Sequence, residues 1–482
     1  MRKRIFSSVF AFVLSILFIL SGCQPTPAIP AIVNKADGKL EEKMQATPAP
    51  VKPYEAPAHW SETVEGEKLN IVIDTDVIVP DVNAYPVVKL EQQPFTQEQI
   101  DEMVHYFAGD AKLYLPHVQT KADYDAEIIL AKRGTEVDGE YVVTEDSKAW
   151  VKELEKKRDA APDDSPIIYT DTTLTYPKDE YGNDDVEKGK NYLSVCYQNE
   201  DGSVGNMAAV NDLTGNSRSC GFSYGRDEKL WYITETMYHE NTDFDFAEED
   251  SGWTGAGALF DKIQITQEEA QNMAQQVIDD LDIKDIVLVT AEKAVSIDVP
   301  EKCGYRFTYA RQSGGIPAYK IEGGGYSLEE EPPVYSPPFT EETVRIDVSP
   351  DGIESFSWGG CAKVVETVSD NAALLPFEDI QQALKDQIFY KKSFNPMYES
   401  FGLSNFEVDV TSAKLRMGYI GVKDNEYQAL MVPVWVFEST FGNDNAVLNK
   451  HQSHPDDTYV LNAIDGGVIE MKRYEFKDVP VG

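Results

Sequence analysis

The stretches "TVRIDVSPDGIESFSW" (343–358) and "TYVLNAIDGGVIEMKRYEF" (458–476) share one design. In each, a β-rich run reaches a turn rich in Asp and Gly and returns as a second β-rich run. Thr343 and Thr458 are followed four residues later by Asp347 and Asn462, and nine residues later by Gly352 and Gly467. Such turn residues let a chain reverse at low steric cost, so both stretches are expected to be antiparallel hairpins.

Upstream of each hairpin lies a helix and a group of strands. "ITQEEAQNMAQQVIDDL" begins at Ile265 and "LLPFEDIQQALKDQI" at Leu374; an earlier relative, "FTQEQIDEMVHYF", begins at Phe95. Thr96 and Thr266 open capping boxes, in which the hydroxyl accepts a backbone N–H and Gln99 or Glu269 reaches back. Phe95 can staple onto Ile100 across the cap. Behind the caps the apolar residues fall on one face: Ile100, Met103, Val104 and Phe107; then Met273, Ala274, Val277, Ile278 and Leu281; then Ile380, Ala383, Leu384 and Ile388. Pro376 fits a first helical turn. After the second helix come "DIVLVTAEKAV", "CGYRFTYARQ" and "IPAYKIEG"; after the third come "FEVDVTSAKLRMGYIGV" and "YQALMVPVWVFES". Helices set apart from strand clusters predict an α+β fold, not alternating βαβ units. The expected plan is two tandem modules, 260–370 and 371–482, each one helix packed on an antiparallel sheet. An N-terminal α+β domain of unknown type, 67–259, precedes them.

"LLPFEDI", "LMVPVWVF" and "YVLNAIDGGVI" resemble the helix, central strand and closing hairpin of PepSY-type modules. They are similar also to the related domains of YycH/YycI-type accessory regulators of monoderm bacteria. The chain as a whole resembles a bacterial lipoprotein family without assigned activity. The resemblance covers 371–482 well and the preceding module loosely, and it leaves 67–260 unmatched. It implies a fold, an envelope location and a binding, inhibitory or regulatory role. No catalytic residue is carried over by it.

The amino terminus agrees with that location. Arg2, Lys3 and Arg4 precede an uncharged apolar run from Ile5 to Leu20, the plan of a secretory signal. The run is short for a membrane-spanning helix, which needs ~20 apolar residues. Its exit, Leu20-Ser21-Gly22-Cys23, resembles the lipobox of bacterial lipoproteins, where the Cys thiol is acylated and the preceding bond cut. Residues 1–22 are therefore expected to be a signal peptide and Cys23 the lipidated first residue of the mature protein. Residues 23–66 read as a Pro/Ala-rich tether, at ~3.1 Å per residue in polyproline II.

Lys and Arg number 43 against 83 Asp and Glu, a formal charge of −40. That field repels nucleic acid and anionic lipid and favours cationic partners or divalent ions; its plain reading is solubility outside the cell. Aromatic content of 11% is sufficient for true cores, which excludes a disordered acidic chain. Cys196, Cys220, Cys303 and Cys361 permit two disulfides in an exported chain; proximity favours Cys196 with Cys220 and Cys303 with Cys361, while four buried free thiols fit as well. No spacing points to a metal or cofactor.

Several motifs have a sharp and a plain reading. "GFSYG" (221–225) fits G-x-S-x-G, with Ser223 as a hydrolase nucleophile and His239, His451 or His454 as base. Its flanks, "TGNSRSC" and "RDEKLWY", lack the strand and helix that a nucleophile elbow requires, so a glycine-rich turn between strands is expected. "HQSHPDD" (451–457) lacks the helix geometry of a zinc site. "NTDFDFAEEDSGW" (241–253) lacks the spacing of a calcium loop, and its Asp243 and Asp245 are a weak basis for a glycosidase pair. "GGGYSLEEEPPVYSPPF" (323–339) has no phosphate-binding Lys and reads as a surface loop. The expectation is a non-enzymatic binding or regulatory protein, lipid-anchored outside the membrane, whose partner is a protein or envelope ligand. The alternative is a surface hydrolase with its site in 67–260.

Overall fold

The computed structural model describes residues 35–36, 51–66, 69–137, 140–176, 190–199, 201–212, 219–226, 232–234, 256–296, 302–319, 339–393, 406–422, 425–443 and 457–469. Strands β1 (Lys35–Ala36), β2 (His59–Val64), β3 (Leu69–Ile78) and β4 (Val87–Gln92) precede helix α1 (Gln97–Ala108). Helices α2 (Lys121–Ala131) and α3 (Glu145–Ala160) flank a small hairpin, β5 (Thr135–Val137) and β6 (Glu140–Val142). Then come β7 (Lys190–Gln198), β8 (Val204–Asp212), β9 (Ser219–Gly225), β10 (Tyr232–Thr234) and α4 (Gln267–Asp280). Next are β11 (Ile286–Ser296), β12 (Cys303–Ser313), β13 (Ile316–Pro317), β14 (Thr343–Ser349), β15 (Gly352–Gly359) and β16 (Ala362–Ser369). Helix α5 (Phe377–Ser393) leads to β17 (Phe406–Val422), β18 (Asn425–Asn443) and β19 (Asp457–Asn462).

The fold is α+β, with two antiparallel-dominated sheets. A nine-stranded sheet runs β10-β11-β12-β14-β15-β9-β8-β7, with β13 beside β12. An eight-stranded sheet runs β16-β4-β18-β17-β3-β2, with β1 on β17 and β19 on β18. The 343–358 stretch forms the β14–β15 hairpin, with Ser349 opposite Gly352, whose φ of 120° suits glycine. Both predicted capping boxes form: Thr96 and Thr266 each accept the N–H three residues on, and Gln99 and Glu269 each reach back. Phe95 and Ile100 are buried in one core with Ala274, Val277 and Ile278. Helix α5 starts one residue after Pro376, whose carbonyl accepts from Asp379 at 3.1 Å.

The plan of tandem modules is redrawn by the strand pairing. The eight-stranded sheet draws on both ends of the chain. β1 and β2 join it from within 23–66, so that stretch is not the free tether expected from its prolines, because Trp60 buries itself in the core with Tyr54 and Ala56 packed against it. β3 lies parallel to β17, with Leu69 opposite Phe406 and Val410 opposite Ile73. Strand β4 sits between β16 and β18. The nine-stranded sheet takes β7–β10 from the predicted N-terminal domain and β11–β15 from the predicted first module. The boundaries expected near 259 and 370 thus do not separate the sheets. The physical reason is burial: alternating strands are half-buried surfaces, and each edge is closed by whichever strand the rest of the chain delivers.

The crossover between the sheets is the short link from β15 to β16. Gly360 turns there at φ 68°, and a Cβ on it would meet the Glu341 carbonyl at 2.1 Å, so only glycine fits. The Cys361 carbonyl then accepts from Gln93 N at 2.9 Å, starting the β16–β4 pairing. A second junction joins Tyr319 N to Met417 O at 2.7 Å, while Ala310, Ile316, Ala318 and Phe339 pack into the core of the eight-stranded sheet.

Candidate functional site

The nine-stranded sheet buries one face and shows the other. Leu193, Met207, Phe222, Phe356, Ile346 and Phe307 point inward, against α1 and α4. Their neighbours along each strand therefore point outward. Register then lines up the outward residues across strands: Arg345 opposite Ser357, Ser357 opposite Ser223, Ser223 opposite Ala208, and Ala208 opposite Ser194. The adjacent row is Gly359, Gly221, Val210 and Tyr192. Arg345, Ser357, Ser223, Ser194, Val210 and Tyr192 are exposed.

"GFSYG" thus lies within strand β9, in the middle of this face, and not in the turn expected from its glycines. Tyr224 and Phe222 are the buried members of the same alternation. Ser223 stands on flat sheet between Ala208 and Ser357, without the strand-to-helix turn that raises a nucleophile over an oxyanion hole. Among the described residues no histidine hydrogen-bonds to it: His59 holds Asp74 and Asp76 at 2.8 and 2.9 Å, and His117 holds Asp123 at 2.7 Å.

Charge on this face is almost wholly paired. Lys190 meets Asp212 at 2.6 Å at one corner. Arg306 meets Asp347 through two bonds of 2.7 and 2.9 Å, and Ser355 donates to the same carboxylate at 2.6 Å. Arg345 is different. Among the described residues its guanidinium makes no hydrogen bond or ion pair. It is exposed by area yet closely ringed by protein, and that enclosure, with Arg306 nearby, lowers its proton affinity against the pull of Asp347 and Glu292.

A second polar group is buried at the junction of the sheets. Arg311 and Glu342 form a buried ion pair, and Trp358 Nε1 donates to Glu342 Oε1 at 3.0 Å. Burial pushes the Glu342 carboxyl up, opposed by Arg311, Trp358 and the Ala362 N–H. Arg311 also lines a cleft of about 260 Å³, together with Val88, Asp285, Gln312, Gly314 and Val364. Asp285, at φ 56°, is held in a backbone region unusual for a residue with a side chain. Glu342 neutralises Arg311, so the charge this cleft presents is the exposed carboxylate of Asp285, 4.0 Å from Arg311.

All four later cysteines, Cys196, Cys220, Cys303 and Cys361, are buried free thiols. The expected pairings do not form. Cys196 bonds Asn206 at 3.2 Å, and Cys303 packs with Phe260 and Val295. Burial pushes the Cys220 thiol up to about 11 and the Cys361 thiol up to about 12. Cys23, His239, His451, His454, Asp243 and Asp245 lie outside the described residues, as does most of 323–339. Among the described residues no cluster of His, Cys, Asp and Glu comes together as a metal site, and no helix is long and apolar enough to cross a membrane.

Sequence reasoning missed Arg345, although it sits in the opening stretch. Alternation in "TVRIDV" already turns it away from the core, but its neighbours come from β15 and β12, which only the register supplies.

No protein-family model and no curated protein matches this chain. Among solved structures, it is similar to an uncharacterized protein from Eubacterium rectale ATCC 33656, determined at 1.45 Å resolution. The two share 14% identity and a TM-score of 0.39, over 90% of this chain and 99% of the other.

Proposed function

We propose that this chain is a lipid-anchored, extracytoplasmic protein of the bacterial cell envelope that works by binding and not by catalysis. The observation that carries the reading is the placement of Ser223. The residue that a hydrolase would use is one of a row of hydroxyls on an open sheet face, next to Arg345, which makes no hydrogen bond or ion pair among the described residues. A face of this kind presents contacts; it does not activate a nucleophile, which needs an adjacent base and an oriented third group. The lipobox-like Leu20-Ser21-Gly22-Cys23 and the proline-rich stretch after it support anchoring at the outer membrane surface. The resemblance of 371–482 to PepSY-type and YycH/YycI-type modules supports a regulatory role toward a protein or envelope ligand.

The test is Cys23→Ser in a monoderm host, followed by palmitate labelling and fractionation. Loss of label, with an uncut leader or release to the medium, is expected; normal processing and an unchanged membrane fraction would overturn the anchor. Esterase or amidase turnover that vanishes in a folded Ser223→Ala variant would overturn the binding reading.

A further inference from the structure

We propose that the outward face of β7, β8, β9, β15 and β14 is the docking surface for an extended acidic peptide. Arg345 receives its carboxylate, and Tyr192 with Val210 receives an apolar side chain at the other end. The inference rests on the binding reading above and names the partner class.

The face has two distinct ends and a low floor. At the β7 side, Tyr192 and Val210 are 42% and 44% exposed and adjacent across the β7–β8 pair. Apolar side chains left open side by side on a sheet face mark a contact surface better than scattered ones do. The floor between the ends is Ala208, Ser223, Ser357 and the glycines 221 and 359, side chains too small to keep a ligand backbone away. At the far side stands Arg345, the one cation of this face with no partner among the described residues. In a chain of which 26% of residues are charged, a floor without charge is a departure from the usual solvent face of an antiparallel sheet. Depletion of charge in the centre, with Arg and Tyr as anchors, is the composition of an interface core.

Size selects the partner. Four strand spacings of ~4.8 Å separate β7 from β14, so the two anchors lie about 19 Å apart. An extended peptide at ~3.3 Å per residue covers that span in about six residues. With three to five outward positions on each of the five strands, the face offers roughly 500–600 Å². A stable interface between folded proteins buries ~800 Å² on each side, so a peptide segment fits where a folded domain would be under-supported. The −40 charge of the chain and the nearby Asp347 and Glu292 oppose an anion at long range, so the selection is made by the local contact, in which a carboxylate complements the planar Arg345 guanidinium through paired N–H donors.

The experiment is selection from a displayed library of random dodecapeptides on the full chain, with Arg345→Gln as counter-bait. Enriched peptides are expected to carry Asp or Glu about six positions from an aromatic or aliphatic residue. Synthetic copies are then titrated by calorimetry. Arg345→Gln, and replacing the peptide's acid by its amide, should each weaken binding at least about tenfold and should not add when combined. Ser223→Tyr, which fills the floor, should weaken it as much while the melting temperature stays unchanged. No enrichment, enrichment of peptides without a carboxylate, or binding that survives either variant would overturn the proposal. So would binding to polygalacturonate, used as an anionic glycan, in the absence of any peptide. Membrane fractionation of Cys23→Ser reads the anchor alone, so failure here is distinguishable from failure of the location.

Discussion

Glu342→Gln tests the polar junction between the sheets. The carboxylate is 2% exposed and the Arg311 side chain 5% exposed, so neither is solvated. Gln keeps the size and the oxygen that accepts from Trp358 at 3.0 Å, and removes only the charge. Breaking one partner of a buried ion pair costs about 3–5 kcal/mol, because the remaining charge is uncompensated. Asp285, 4.0 Å from Arg311 and 62% exposed, compensates weakly, which sets the expected loss near the lower end, about 3 kcal/mol. The assay is urea unfolding followed by tryptophan fluorescence, since Trp358 reports on the junction directly. The double variant Arg311→Met, Glu342→Leu removes both charges and should recover to within about 1 kcal/mol of the parent. A single variant costing under about 1 kcal/mol, or a double variant costing the sum of the singles, would refute the reasoning.

Two further outcomes are expected from local structure. Thr266→Ala removes the hydroxyl that accepts from Glu269 N at 3.2 Å, and should cost about 1 kcal/mol in the same urea titration; a loss under about 0.3 kcal/mol would count against the cap. Cys220 and Cys361, with thiols pushed up to about 11 and about 12, should resist iodoacetamide at pH 8 in the native chain and react once it is unfolded. Modification of either within minutes in the native state, read by peptide mass spectrometry, would contradict their burial.

Local chemistry made much of this molecule legible without coordinates. The capping boxes at Thr96 and Thr266 appear where the T-x-x-Q and T-x-x-E patterns put them, because a cap is satisfied within four residues of chain. The runs from Phe406 to Val422 and from Cys303 to Gln312 form strands because alternation and β-branched content act within a single segment. "GFSYG" reads as a turn from its glycines but lies within strand β9. Its glycines sit at outward positions of β9, where the next strand's backbone is the neighbour: a Cβ on Gly221 would lie 3.5 Å from the Trp358 carbonyl.

What the sequence by itself determined is the existence and type of α1, α4, α5 and the strands that follow α4, together with the α+β class that follows from their grouping; the strands before residue 260 and helices α2 and α3 came only from the structure. What only the tertiary structure decided is which strands became neighbours. β3 joins β17 although more than 300 residues separate Thr75 from the Thr411 carbonyl to which it donates at 2.9 Å. No local pattern encodes such a pairing, since any half-buried strand satisfies any edge of matching register. The candidate face follows the same rule. Alternation turns Arg345 and Ser357 away from the core, but Ser223 joins their row only because β9 is a strand paired with β15 and β8, opposite an apolar end supplied by β8 and β7.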